Sequence, residues 1–328
     1  MSSLASFYLP AQWEEQSFVQ LIFPHEDTDW AEYLDEIIPI FENIATTIAK
    51  YQNCLVLYKD EKSIQNIKDR KNMIFKKVDS DDTWCRDFGA ITLKNENGEV
   101  KLLDFIFNGW GDKFDASKDN AISKQLFSDI KSYDFVLEGG SIDVNSKKVL
   151  LTTNACLLEK NRNPHFSKEQ IEDKLKEYLG VQKVLWLEYG FLEGDDTDSH
   201  IDMLCRFIND DTLVYQSFSR DDEVHYEEYQ KMKKQIESFG YKSIALPTIK
   251  EQYFDGERLP ASYVNFLIIN GAVLVPTYND ENDTKALEIF KENFPNRDII
   301  GIDCSKVIRQ HGSLHCLTMH YPKGVQIA

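Results

Sequence analysis

Short apolar runs rich in Val, Ile and Leu alternate along this chain with longer stretches whose apolar residues recur every three or four positions. The runs Val19–Phe23, Cys54–Tyr58, Lys101–Phe105, Val149–Thr152, Val184–Leu187, Leu213–Tyr215, Tyr263–Ile269 and Ala272–Pro276 read as buried strands. Trp30–Tyr51, Lys168–Leu179, Tyr226–Phe239 and Asp283–Phe294 carry the helical period. Ser167, followed by Glu169 and Gln170, supplies a start signal for the second of these helices, and Gly180 a stop. Interleaving of this kind predicts an α/β fold rather than segregated helices and strands. Five strand–helix groups can be drawn, although the sequence itself shows no internal repeat. Pro and Gly are few and scattered and no low-complexity run occurs, so residues 1–328 are expected to form one domain.

Several function classes drop out. No GxGxxG follows a strand and no GxxxxGK[ST] is present, which argues against a nucleotide-binding sheet. The six cysteines, at 54, 85, 156, 205, 304 and 316, form no CxxC pair, which argues against a zinc ribbon or a disulfide framework. Met1 to Pro10 carry no basic or long apolar leader, and no 20-residue apolar span occurs, so a cytoplasmic location with reduced thiols is expected. With 37 basic and 55 acidic residues the net charge is −18. A field of that sign repels nucleic acid and anionic membranes and draws cationic small molecules towards a cleft.

Four clusters hold the residues suited to chemistry. They are Asp81-Asp82-Thr83-Trp84-Cys85-Arg86-Asp87-Phe88-Gly89, Leu137-Glu138-Gly139-Gly140-Ser141-Ile142-Asp143, Asp195-Asp196-Thr197-Asp198-Ser199-His200-Ile201-Asp202-Met203 and Gln310-His311-Gly312-Ser313-Leu314-His315-Cys316-Leu317. Singly, each has a bland reading. Asp87 pairs with Arg86 or caps a turn, Glu138 marks a turn, His200 is structural, and Cys316 is a small buried hydrophobe. Together they complement one another. A thiolate is a nucleophile that a cation stabilises, an imidazole shuttles protons, and a carboxylate such as Glu138 holds the ring. His200 and Asp202, at i and i+2, share one side of an extended segment. A guanidinium offers five N–H donors in a fixed fork that carboxylates match. A Cys, a His and three carboxylates without a metal motif point to attack on a guanidinium carbon.

These clusters resemble the signature segments of the agmatine deiminase branch of the guanidino-group-modifying superfamily, which includes the bacterial peptidylarginine deiminase type. The order Trp-x-Arg-Asp, Glu-Gly-Gly, His-x-Asp and a late His-Cys carries the likeness. His25–Trp30, Asn108–Asp112, Asn161–Pro164 and Ala261–Phe266 add to it over nearly the whole chain. The resemblance implies a single-domain, five-fold pseudosymmetric α/β propeller and a hydrolase acting on C–N bonds of linear amidines. It implies Cys316 as nucleophile, His200 as proton shuttle, Glu138 as the group orienting that His, and Asp87 and Asp202 as guanidinium acceptors. Trp84 matches an aromatic position beside the substrate, with a core indole as the alternative. The implied reaction converts agmatine to N-carbamoylputrescine and ammonia through a covalent thiouronium, in polyamine synthesis. The implied partner is a small cationic guanidino compound, without cofactor, metal, nucleic acid or membrane, and a homodimer is the oligomer considered.

The chain departs from the family at two places. Gln310-His311-Gly312-Ser313 stands where Gly-Gly-Gly-Asn is common, and Ser199 replaces the more usual Gly before the His. The first change lies near the site and bears on substrate identity. Rival readings are an arginine or peptidylarginine deiminase and a non-enzymatic binding protein on the same scaffold. Asp196 and Asp198 are candidates to meet a distal ammonium, Asp196 the stronger of the two. His315 is expected to point away from the site if its segment is a regular strand.

Overall fold

The computed structural model describes residues 6–327; part of the stretch Met1 to Pro10, read above for a leader, lies outside the described residues. The fold repeats one unit. In the first, β1 (Gln16–Ile22) leads through α1 (Leu34–Ile48) to a parallel β2 (Asn53–Tyr58), and β3 (Met73–Lys77) adds a further parallel strand. A turn, α2 (Cys85–Phe88), opens the second unit of β4 (Ile91–Lys94) and β5 (Val100–Ile106). Beyond the turn α3 (Gly109–Asp112), α4 (Asp119–Leu126) leads on to β6 (Ile130–Val136). The third comprises β7 (Ile142–Val144), β8 (Val149–Thr153), the turn α5 (Asn154–Leu157), α6 (Lys168–Leu179) and β9 (Lys183–Leu187). The turn α7 (Ile201–Leu204) opens the fourth, of β10 (Cys205–Asn209), β11 (Thr212–Gln216), α8 (Tyr226–Ser238) and β12 (Lys242–Leu246).

A hairpin of β13 (Tyr253–Phe254) and β14 (Glu257–Arg258) precedes the fifth unit, of β15 (Leu267–Ile269), β16 (Ala272–Thr277), α9 (Asp283–Asn293) and β17 (Asp298–Asp303). The C-terminal β18 (Thr318–Pro322) returns to pair antiparallel with β1 and completes the first sheet. Apart from the hairpin, every sheet therefore sets a central strand between one antiparallel and one parallel neighbour, with β3 as an extra edge. The parallel step needs a crossover, and a helix supplies it each time.

Three central strands are almost wholly buried: β8 and β11 throughout, and β16 in all but its last residue. The crossover helices bury stripes at helical spacing, Ile37, Phe41, Ile44 and Ile48 in α1 and Ile171, Leu175 and Leu179 in α6. At the start of α6, Ser167 and Gln170 cap each other's backbone N–H reciprocally, and Gly180 closes the helix at φ 65°. The run Tyr263–Ile269 is strand only from Leu267, because residues 263–266 form a turn.

Each central strand's antiparallel partner follows a short turn. These turns are α2, residues 139–141, α7, residues 262–266 and residues 314–317. Polar contacts connect them in sequence. Gly140 N–H donates to Asp87 at 2.9 Å, and the ring of His200 lies against Gly140. The Asn265 amide donates to Asp202 O at 3.3 Å, and its oxygen accepts His315 N–H at 2.7 Å. Arg86 N–H then donates to Cys316 O at 3.1 Å, returning to the first turn.

Candidate active site

The five turns carry Asp87, Glu138, Asp202, Asn265 and Cys316 at matching places, each two to four residues ahead of its strand. Five separate stretches of chain therefore deliver one polar side chain each. Cys316 and Asp87 reach a cavity of about 600 Å3 whose wall also includes Trp84, Trp110, Asp196 and His311. Nine aspartates line that wall, with neither Lys nor Arg among the lining residues.

Cys316 Sγ lies 3.2 Å from Asn265 Nδ2 and 3.8 Å from Asp202 Oδ2. Asp87 is held from both sides: Trp110 Nε1 donates to Oδ2 at 2.9 Å and Gly140 N–H to Oδ1. It does not pair with Arg86, whose guanidinium turns instead to Met319 and to His320 Nδ1 at 3.1 Å. His200 and Asp202 do not sit on an extended segment; His200 caps the single turn α7, which still brings both side chains to Gly140. A Cβ on Gly140 would stand 2.6 Å from His200 Nδ1, 2.8 Å from Asp87 Oδ1 and 3.2 Å from Asp202 Oδ2. No side chain fits among these three, which is the physical reason for glycine here.

His200 Nδ1 is 3.7 Å from Asp87 Oδ1, beyond hydrogen-bonding distance, and both ring nitrogens lack a partner. Glu138 gives one oxygen to Arg162 Nε at 2.8 Å and keeps Oε2 unpaired. Its carboxylate comes near the ring of His200 without bonding to it. Asp202 Oδ1 is likewise unpaired. Of seven orphan buried side-chain atoms among the described residues, four belong to Glu138, His200 and Asp202. Buried polar atoms are ordinarily paired, so this concentration marks groups that await a ligand.

The electrostatics agree. Burial, then the neighbouring charge of Asp202, pushes Asp87 well above the usual carboxylate range, and burial pushes Asp202 up to about 7. Burial followed by the two aspartates holds Cys316 as a thiol, while burial and Arg162 keep His200 neutral. A guanidinium set between the carboxylates would relieve the upward shifts of Asp87, Asp202 and Cys316 and would keep His200 neutral.

Trp84 forms part of the cavity wall and packs on Trp30 with ring centroids 5.6 Å apart; a Cβ on Gly312 would meet its ring at 2.4 Å. Asp196 lines the cavity and is pushed up to about 6 by burial and by Asp195. Asp198 is instead neutralised by Arg162 at 2.7 Å and Lys113 at 2.8 Å. His315 faces the site rather than away from it: residues 314–317 are a turn, and Nδ1 lies 2.7 Å from Asp202 Oδ2. Asn265, Trp110 and Arg162 received no role from the sequence, although their segments were singled out. Glu138, Cys156 and His200 place ligand-type atoms within 4.8 Å of one another, a set that could hold a metal ion.

The whole chain has known counterparts. Residues 8–322 match the model of the Porphyromonas-type peptidyl-arginine deiminase family. An agmatine deiminase of Medicago truncatula is 30% identical over 96% of each chain. A cysteine-to-serine variant of the C. jejuni agmatine deiminase with substrate bound superposes with a TM-score of 0.95, at 42% identity over 98% of each chain. The agmatine deiminase of Enterococcus faecalis superposes at 0.87, with 30% identity over 99% of each chain.

Proposed function

The chain belongs to the Porphyromonas-type peptidyl-arginine deiminase family, and on that premise we propose that it is an agmatine iminohydrolase of one catalytic domain, releasing N-carbamoylputrescine and ammonia. The observation that carries this reading is Cys316 beside two buried carboxylates in a cavity walled by aspartates and free of lining cations. A pocket for free arginine needs a positive group for the α-carboxylate, whereas a distal ammonium is met by Asp196 and its acidic neighbours. The repeated sheet unit and the linked turns support a five-fold pseudosymmetric propeller with the site on its axis.

Asp87 and Asp202 hold the guanidinium, and its positive charge favours the Cys316 thiolate. Neutral His200 takes the Cys316 proton as the sulfur adds to the guanidinium carbon, then delivers that proton to a terminal nitrogen as its bond to carbon breaks and ammonia leaves. A thiouronium remains on Cys316. His200 then takes a proton from water, the oxygen adds to the same carbon, and the C–S bond breaks to free the ureido product and the thiol. Glu138, fixed by Arg162, sits beside His200 through both proton transfers. Putrescine synthesis is the metabolic setting proposed, in the cytoplasm.

The test supplies agmatine, arginine and a peptidyl arginine separately and measures ureido product and ammonia. Agmatine should win, by roughly tenfold to several hundredfold over arginine if one unscreened charge repulsion decides. Arginine equal to or above agmatine would move the assignment to an arginine deiminase. Turnover should also survive a chelator; loss restored by added metal would reassign Glu138, Cys156 and His200 to an ion.

A further inference from the structure

A chain of hydrogen bonds that begins on Gln12, just ahead of β1, ends on Asp202. The buried Gln12 amide oxygen accepts from Arg206 Nη2 at 2.8 Å and from Ile268 N–H at 2.9 Å. Both are donors only, so they fix which end of the amide is oxygen. The NH2 end therefore donates, to His315 Nε2 at 2.8 Å, and lies 3.3 Å from His320 Nδ1. An imidazole that accepts at Nε2 carries its proton on Nδ1 when neutral, and His315 Nδ1 is the atom 2.7 Å from Asp202 Oδ2.

The remaining surroundings favour the same state. His315 is faced by Arg206 from β10, Arg86 from α2, His320 from β18 and Asp202 from α7. Burial and the two guanidiniums hold the ring neutral. Its backbone is pinned by Asn265, which accepts His315 N–H, and by Arg86, which donates to the carbonyl. In the other tautomer a lone pair on Nδ1 would face a carboxylate oxygen at hydrogen-bonding distance, and Asp202 would have to take up a proton to relieve it.

We propose that Gln12 and His315 are positioning residues. Gln12 fixes the neutral, Nδ1-protonated form of His315, which occupies Oδ2 of Asp202. Oδ1 is thereby left free to accept from the guanidinium, while Oδ2, held by His315, is the oxygen 3.8 Å from Cys316 Sγ. This rests on Asp202 being a guanidinium acceptor, as proposed above. The device does two things. It stops the carboxylate from rotating about its last bond, and it supplies a donor that favours the ionised form without adding a positive charge beside Cys316.

The direct measurement is 15N NMR of the intact, ligand-free enzyme labelled at histidine, with His315 identified by its absence in His315→Asn. A proton on Nδ1 and a bare Nε2 from pH 6 to 9 are expected; a proton on Nε2 overturns the proposal. Kinetics supply the second reading. His315→Leu removes the donor, so kcat/KM should fall at least tenfold and its acid limb should move to higher pH. His315→Asn keeps an N–H near the Nδ1 position and should recover most of the loss. Equal losses in the two variants, with unshifted pH profiles, reduce His315 to a packing residue. Gln12→Glu places an acceptor opposite Nε2, draws a second proton onto His315 and should move the acid limb to lower pH; an unmoved limb removes Gln12 from the device. Asp202→Asn, measured alongside, separates the two readings. Wild-type turnover in that variant would sink the acceptor role itself, whatever the tautomer.

Discussion

Asp119 and Asp202 are buried to nearly the same degree and are both pushed above the usual carboxylate range by that burial. Their partners differ. Asp119 gives each oxygen to a backbone N–H, of Asp81 at 2.8 Å and Asp82 at 3.0 Å, and so clamps the loop that leads to Trp84. Asp202 gives Oδ2 to His315, the same oxygen that lies 3.8 Å from Cys316 Sγ, and leaves Oδ1 unpaired. Burial and charge alone do not separate scaffold from reagent here; the inventory of unmet hydrogen bonds does. Buried groups whose bonds are all made stabilise a loop, whereas those left open define where a ligand must bring donors.

The largest test of that division is Cys316→Ala. Removal of the nucleophile should lower turnover on the order of 10⁴-fold or more while the melting temperature stays within a degree or two. The same change at Cys156 or Cys304, both buried away from the cavity wall, should leave turnover within a small factor. An equal loss at either site would strip Cys316 of its role.

Next come the two aspartates themselves. In Asp202→Asn the amide oxygen can still accept from His315, and the NH2 group falls where Oδ1 is now unpaired. Stability should hold, while kcat/KM drops about 10²-fold or more because an N–H faces the guanidinium. In Asp119→Asn an NH2 group must meet a backbone N–H, so stability should fall by roughly 1–3 kcal/mol, with a much smaller kinetic effect. Thermal melts and kcat/KM on both variants decide; a reversed pattern breaks the comparison.

A smaller, graded effect is expected from pH. Asp202, pushed up to about 7, must be ionised to hold the guanidinium, so kcat/KM should fall about tenfold per pH unit below that point. Stability should run the other way. The folded chain holds the Asp202 proton up to about 7, while an unfolded Asp releases it near 4. That contribution is thus present at low pH and is lost as pH rises through about 7. Asp87, raised in the same direction, adds to it. Melting curves and pH–rate profiles of the same preparation should therefore slope in opposite directions between pH 6 and 8, and parallel slopes would refute the assignment.

What the sequence disclosed follows the same physics. The apolar runs located β1, β2, β8, β11 and β16 because these are buried along most of their length on both faces, and β5 through its buried segment Leu103–Phe105. Among the edges, Val184–Leu187 located β9 and Tyr263–Ile269 included β15, but β12 and β17 went unread, since they carry exposed and half-buried residues such as Lys242, Ser243 and Asp298 and no continuous apolar signal. At the site, Cys316, His200, Glu138, Asp87 and Asp202, the set proposed to react, could be picked out because their types name a chemistry. Asn265 was not, since an amide that braces a turn from another module leaves no mark in local spacing. Trp110 hid for a related reason. It reaches Asp87 only because the backbone takes positive φ at each of residues 109–112, a path that no periodicity encodes. His315 was set on the wrong side by the assumption of a strand where a turn stands.

The smallest expected effect tests the rim against the floor. Ser199, next to His200, sits at φ 65° directly after Asp198 at φ 64°. A non-glycine residue in that left-handed region costs about 1–2 kcal/mol, which accounts for the family's preference for glycine at this position. The loop tolerates the cost because it is held from several sides: Asp195 accepts Ser199 N–H at 2.7 Å, Thr153 donates to Ser199 O at 2.9 Å, and Arg162 fixes Asp198. Ser199→Gly should relieve the strain, but glycine also gains freedom in the unfolded chain, worth about 0.4–1 kcal/mol against the folded form. The net gain should be about 1 kcal/mol or less, a rise of about 1–2 °C in melting temperature at most, with kcat/KM for agmatine within twofold. Ser199→Val, whose branched side chain tolerates positive φ poorly, should lose stability instead. If the glycine variant is more stable yet tenfold slower, the strain in the rim is part of how His200 is aimed, and the boundary drawn between scaffold and reagents must move outward to include this loop.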